Sequence, residues 1–377
     1  MERSRNQMPF DIEFHRDGTV HRRKRRLGEA KVIIRSIALR TPSRCVTNED
    51  IVRLIHAHNS ESPSSEVSDY CAVITKLLRK SGAHTRYFRD KQQGERAFDL
   101  LIDAVQSAIS DAGLSKSKID LIIYCGVGRG FLEPANAAFV AKAVGLSCDT
   151  FDVSEACMSW VRSLQLAYNL LAMRSYRDIL VVNAEFNVYE HGIPNIFAIC
   201  SPDRLKYSFA ALTVGEAATA TVLASSPKKW KFRFRSAPEL APLCNLPLPR
   251  FEEFCGADVR LGLNGTHQLV SFGSELSKAA VRQMIAFVND TYANVDGIDL
   301  WLPHAASEAN FRLIARKVGV GERLYTKVFR RYGNLISASI PAAIVMAQQD
   351  GMLRRGNRIV MCPATAGMAF GLVEGEY

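Results

Sequence analysis

No run of 18 or more apolar residues occurs in the chain, so a membrane-crossing helix is not expected. The first residues are charged and mixed, without the apolar stretch of a secretory signal. The nine cysteines are odd in number and contain no Cys-x-x-Cys pair, which argues against both a disulfide framework and a zinc site. A reducing cytoplasm is the expected setting. Gly126-Val127-Gly128-Arg129-Gly130 follows an apolar run but lacks Gly-x-Gly-x-x-Gly spacing, and no P-loop lysine stands near it. Nucleotide binding is not indicated. The basic run Arg22-Arg23-Lys24-Arg25-Arg26 has no interleaved aromatics, so a nucleic-acid interface is not indicated either. It follows a hairpin-like Ile12 to Val20 with an Asp17-Gly18 turn and reads as a solvated arm.

At 377 residues the chain exceeds what a single core usually takes, so two domains or one duplicated domain is expected. Apolar runs of strand length alternate with stretches of helical spacing. Strands are predicted over Val32 to Ala38, Leu121 to Cys125, Thr150 to Val153, Ile179 to Asn183 and Ala217 to Ala224. Helices are predicted over Asn48 to His56, Ser68 to Lys80, Gly94 to Gly113, Ala135 to Val144 and from Cys157 onward. Asn59 to Glu66 reads as a loop. After Trp230 to Arg235 the theme restarts. Helices are expected over Ser274 to Tyr292, Glu308 to Val318 and Ile336 to Gln349, and strands over Asp299 to Leu302, Arg358 to Cys362 and Met368 to Val373. This alternation reads as α/β, with buried sheets and helices on their faces. The two halves share an element order but no clear sequence repeat.

Three residues stand in settings that suit one joint chemistry. Cys157 follows the strand-like Phe151-Asp152-Val153 and opens a helix, whose N-terminal N–H groups favour a thiolate. His304 ends the apolar strand Leu300 to Pro303. Asn334 lies in the turn Tyr332-Gly333-Asn334 before a helix. Alone, each has a plainer reading: a small buried hydrophobe, a structural imidazole and a turn residue. Together a nucleophile, an imidazole and a carboxamide can load an acyl group and build a carbon–carbon bond on it.

Tyr332-Gly333-Asn334-Leu335-Ile336-Ser337-Ala338-Ser339-Ile340-Pro341 closely resembles the asparagine motif of the type III ketoacyl-acyl-carrier-protein synthases, condensing enzymes of the thiolase superfamily. The separation of His304 from Asn334 is also that family's, and the likeness runs from about Val32 to the C-terminus. The resemblance implies a thiolase fold, duplicated as five layers αβαβα. Its halves would span 31–225, with the cysteine, and 226–377, with the histidine and asparagine, after a basic extension at 1–30. It also implies a homodimer, no cofactor, and acyl thioesters on phosphopantetheine as substrates. Cys157 would take the acyl group. His304 would activate the thiol or polarise a thioester carbonyl, and Asn334 would share that oxygen. A backbone oxyanion contact aligns with Ala366 in Thr365-Ala366-Gly367. Gly215-Glu216-Ala217-Ala218 reads as a packed turn.

In this family the segment around Glu133-Pro134 reaches across the dimer into the neighbour's acyl pocket. Relatives that join two long acyl chains place a glutamate there, which would make Glu133 a base. Glu133 also suits a plain surface position before a helix with proline in its first turn. The basic residues Arg312, Arg316, Lys317, Arg330 and Arg331, with Arg323 and Lys327, crowd the stretch between His304 and Asn334. They suit an acidic acyl carrier protein. The family's usual Gln-Ala-Asn after the histidine is Ala305-Ala306-Ser307 here, so docking residues do not transfer one for one. Tryptophans occur only at 160, 230 and 301, downstream of where CoA-using members stack adenine, which favours carrier-bound donors. The expected activity is a Claisen condensation in specialised lipid or polyketide synthesis, with cyclised pyrone or dialkylresorcinol-type products among its outcomes. Two other readings compete: acyl transfer to an alcohol or amine, and a non-catalytic partner subunit. The intact cysteine, histidine and asparagine set speaks against the latter.

Overall fold

The computed structural model describes residues 11–14, 20–23, 31–190, 192–198, 200–304 and 306–377. The Asp17-Gly18 turn, the basic residues Lys24 to Arg26, and Ala305 lie outside them. Asp11–Phe14 and Val20–Arg23 pair antiparallel, the two strands the hairpin reading requires.

Five strands form a first sheet in the order Lys31–Arg40, Ala217–Ser226, Asp178–Glu185, Leu121–Cys125, Asp149–Val153. The last three run parallel and the first two join antiparallel. Leu121–Cys125 is buried at every residue because parallel neighbours flank it and helices cover both faces. The second sheet repeats the arrangement: Lys231–Ser236, Ala369–Glu376, Arg358–Cys362, Leu300–Pro303, again antiparallel, antiparallel, parallel. Ala364–Thr365 adds a short strand beside Ala369–Glu376.

Helices complete five layers. Ala97–Asp111 and Asn136–Val144 cover the outer face of the first sheet through Leu101, Ala104, Val105 and Val140. Gly273–Thr291 and Glu308–Val318 cover the second through Met284, Phe287, Phe311 and Ile314. Between the sheets lie Ser159–Ala172 and Ser339–Gln349. The second of these is apolar nearly all round, as a helix sandwiched between two sheets must be. Pro341 fits its first turn, where a missing N–H has no intrahelical partner to lose.

The differences from the sequence reading fall at element starts. The helix expected from Ser68 begins at Ser64, just after Pro63, within the stretch read as a loop. The helices expected from Cys157 and Ile336 each open instead with a 3₁₀ turn, Ala156–Met158 and Ile336–Ala338. Short helices at Ile193–Phe197, Pro202–Ser208 and Lys327–Tyr332, and the strand pair Arg44–Thr47 with Thr85–Phe88, carry too few residues for a periodicity to show.

Candidate active site

Each 3₁₀ turn at the head of a central helix starts from a left-handed residue that is not glycine. Ala156 has φ +44° and Ile336 has φ +52°. Such backbone is strained for residues bearing a Cβ, and it concentrates at functional sites. Cys157 is the second residue of the first turn. The two turns pack against each other, and the Ala364–Thr365 strand packs on the first.

Cys157 is half-buried, and desolvation of its thiol pushes the pKa well above the ordinary range, with the Cys244 thiol and the Glu185 carboxylate adding to the rise. Opposing this, the backbone N–H groups of Ala366 and of Cys157 itself lie on the side of the sulfur and act to lower its pKa. These two N–H groups are the pair that an acyl oxyanion at Cys157 would need. The Ala366 loop is tied down by Thr365, whose Oγ1 donates to the Glu155 carbonyl at 3.0 Å. Met368 and Gly367 hold positive φ values of +50° and +80° beside it.

His304 follows directly on strand Leu300–Pro303, with its N–H bonded to the Cys362 carbonyl at 3.1 Å. The residue is 3% exposed. Burial pushes the imidazole down to about 4, only partly offset by the Ile336 backbone carbonyl against it, so the ring is neutral near pH 7. Its Nδ1 has no hydrogen-bond partner. Leaving a buried polar atom bare costs about 1–3 kcal/mol, a cost sustained where a ligand or reacting group supplies the partner.

Asn334 is positioned by its backbone. Its N–H donates to the Thr213 carbonyl at 2.8 Å, and its carbonyl accepts from Gly215 at 3.1 Å. The crossing admits no side chains: a Cβ on Gly215 would lie 2.0 Å from the Tyr332 carbonyl oxygen, and one on Gly333 2.3 Å from that of Thr213. Gly215 therefore packs directly against the asparagine turn. The Asn334 Oδ1 accepts from the Ile336 N–H at 2.9 Å, which leaves the Nδ2 amide free to donate elsewhere.

The structure thus packs the Cys157 turn against the Ile336–Ala338 turn that follows Asn334, with the Ala366 backbone beside Cys157 and the Ile336 backbone beside His304. Glu133 is not among them. It is exposed, next to Phe131 (47% exposed) and Leu132 (79%). The edge strand Asp149–Val153 of the first sheet has no neighbour on its outer side among the described residues. Of the basic residues, Arg312, Arg316, Lys317, Arg330 and Arg331 are exposed. Arg312 pairs with Glu308, and Arg331 lies over the Tyr332 ring. Arg323 instead turns inward to the Val295 and Ile298 carbonyls, and Lys327 pairs with Asp350. Sequence reasoning passed over Glu185, which lies in no motif, and gave Ser337 no role although it falls within the Tyr332–Pro341 motif. A cleft of about 530 Å³ lined by Arg40, Asp103, Ser107 and Gln349 lies beside strand Lys31–Arg40 and touches none of the three predicted residues. Among the described residues no cluster of His, Cys, Asp or Glu could hold a metal ion, and no helix is long and apolar enough to cross a membrane.

Residues 289–373, which contain His304, Asn334 and Ala366, match the family model of the 3-oxoacyl-[acyl-carrier-protein] synthase III C-terminal domain. An acyl-CoA:acyl-CoA alkyltransferase of Xanthomonas campestris is 28% identical over 324 residues, 81% of this chain and 89% of that protein. A beta-ketoacyl-[acyl-carrier-protein] synthase III of Symbiobacterium thermophilum is 27% identical over 90% of this chain and 96% of that one. Among solved structures, Xanthomonas campestris OleA with bound lauric acid and lauroyl-CoA superposes with a TM-score of 0.74 at 23% identity, covering 92% of this chain and 99% of that one. The five-layer architecture is therefore the thiolase fold.

Proposed function

We propose that this chain is a condensing acyltransferase of the type III ketoacyl synthase kind that joins two acyl groups by Claisen condensation on Cys157, a reading supported by the family match over 289–373 and by the relatives it resembles. The observation that carries the reading is the strained Cys157 turn packed on the equally strained Ile336–Ala338 turn, whose first N–H donates to the Asn334 side chain.

In the first step Cys157 attacks the carbonyl carbon of an acyl thioester. Both thiol and imidazole rest neutral, so the proton leaves the sulfur as the bond forms, with His304, whose Nδ1 is unpartnered, as its acceptor. The oxyanion is held by the N–H groups of Cys157 and Ala366, and collapse expels the carrier thiolate, which leaves as a thiol with the proton that His304 took from Cys157. In the second step the incoming thioester places its carbonyl oxygen between His304 and the free Asn334 amide. These stabilise the enolate while its α-carbon attacks the acyl-enzyme and the Cys157 thiolate departs.

Two routes lead to that enolate. A malonyl or β-keto acid substrate forms it by losing CO₂ and needs no base. A plain acyl thioester needs its α-proton removed, and Glu133 of a second copy is the proposed base. Exposed Phe131 and Leu132 beside the open edge of Asp149–Val153 support a homodimer that buries this segment. The relatives' names divide between acyl-CoA and acyl-carrier-protein chemistry. Exposed Arg316, Lys317 and Arg330, without ion-pair partners among the described residues, favour a carrier protein here.

Intact-protein mass spectrometry tests the reading. Wild-type protein incubated with a panel of acyl-CoA and acyl-carrier-protein donors is expected to gain one acyl mass, and Cys157→Ala none. Acylation that survives in Cys157→Ala would move the chemistry to another residue.

A further inference from the structure

Glu185 ends strand Asp178–Glu185 with its carboxylate fully buried. Neither step above uses it. It accepts from the Val127 N–H at 3.2 Å, the Gly128 N–H at 3.0 Å, the Asn187 side-chain amide at 2.7 Å, the Ser337 N–H at 3.3 Å and the Ser337 hydroxyl. Asn183 adds a bond to the Ser337 hydroxyl oxygen at 3.0 Å. No Lys, Arg or His makes an ion pair with Glu185 among the described residues. A buried charge is costly, and here only dipoles offset it. An apolar residue would be cheaper for stability alone, so the carboxylate calls for another explanation.

The duplication supplies one. Strand Asp178–Glu185 occupies the place in the first sheet that Arg358–Cys362 occupies in the second. Beyond Arg358–Cys362, Thr365 anchors the turn that carries Cys157, through the Glu155 carbonyl. At the end of Asp178–Glu185, Glu185 anchors the turn Ile336–Ala338. Ser337 is second in that turn, as Cys157 is in its own. Each half thus holds the other half's strained turn, Glu185 from the end of its strand and Thr365 from just beyond the equivalent one.

We infer that Glu185 is a positioning residue for condensation: it fixes the Ile336–Ala338 turn so that the Ile336 carbonyl and the Asn334 amide are correctly placed around His304. It acts through Ser337 and touches no substrate. Its bonds to Val127 and Gly128 also brace the start of the segment that leads to Glu133. The charge acts at a distance as well, since it disfavours a thiolate at Cys157. The inference rests on the condensing function proposed above.

Glu185→Gln and Ser337→Ala test it. Glu185→Gln keeps the size of the side chain but weakens the acceptor set. Ser337→Ala removes only the hydroxyl link, and it serves as the test if Glu185→Gln does not fold. In both, acyl uptake at Cys157 should persist while condensation kcat falls about 10²-fold, the scale of a small misplacement of reacting groups. KM should change far less. A second readout separates charge from packing. Alkylation of Cys157 by iodoacetamide at about pH 8 should be faster in Glu185→Gln than in wild type and unchanged in Ser337→Ala. Wild-type condensation in both variants would overturn the inference, as would acylation and condensation failing together. Wild-type protein that takes up no acyl mass would instead count against the condensing function, and the alkylation comparison would still report the Glu185 charge.

Discussion

Ala156 and Ile336 adopt the same left-handed conformation, φ +44° and +52°, at the heads of the two helices sandwiched between the sheets. Neither is glycine or asparagine, so each turn is imposed by what grips it. Thr365 grips the first and Glu185 the second. The strain places Cys157 against the Ala366 backbone on one side. On the other it brings the Ile336 carbonyl to His304.

The protonation states that follow are testable by alkylation. Burial raises the thiol and lowers the imidazole to about 4, so the resting site holds no thiolate–imidazolium pair. Iodoacetamide should modify Cys157 slowly near neutrality, at a rate that climbs through the alkaline range without a low-pH plateau. His304→Ala should leave that profile nearly unchanged, because a neutral ring lends no charge. A plateau below about pH 6 that vanishes in His304→Ala would reveal an ion pair instead.

His304 also links stability to pH. Its folded pKa is depressed to about 4 from the ordinary value near 6.5. The stability it contributes is therefore fully present above about 6.5 and is lost as pH falls through about 4. The loss is on the order of 3 kcal/mol. Denaturant unfolding across this window should show a shallower decline in His304→Gln than in wild type. Equal slopes would mean that the ring titrates normally in the folded protein.

The strand–helix alternation was legible because fully buried parallel strands, such as Leu121–Cys125, must be continuous apolar runs. The candidate site was legible from local setting rather than residue type: a cysteine at a strand-to-helix turn, and an asparagine after a glycine that no side chain could replace. The clamp on the second turn was not. Glu185 and Ser337 lie 152 positions apart and meet only because the duplicated halves interlock. The 3₁₀ openings were missed for a related reason, since alanine and isoleucine give no sign of positive φ.

The basic face between His304 and Asn334 divides into structural and free charges. Arg323 and Lys327 are committed to the fold, whereas Arg316, Lys317, Arg330 and Arg331 point to solvent. Reversing those four charges should raise the apparent KM for carrier-bound substrate by on the order of tenfold. Short N-acetylcysteamine thioesters should be nearly unaffected, because only the carrier needs the positive face. Equal losses with both substrates would assign the patch to folding or to the site itself.

Glu133 separates the two routes to the enolate. In one protomer it is exposed beside Phe131 and Leu132, so its proposed task requires a second copy. Glu133→Gln keeps size and most hydrogen bonding but removes the basicity. Acylation of Cys157 should survive, while condensation of two plain acyl thioesters falls about 10²-fold or more, the usual scale for a positioned base. Mixed dimers of Glu133→Gln with Cys157→Ala should regain activity that neither parent has. One of their two sites combines an intact Cys157 with an intact Glu133 from the other chain. Labelled malonyl substrate provides the opposite outcome. If Glu133→Gln condenses it at the wild-type rate with release of labelled CO₂, and plain acyl thioesters react in neither protein, the enzyme is decarboxylative and Glu133 serves only the interface.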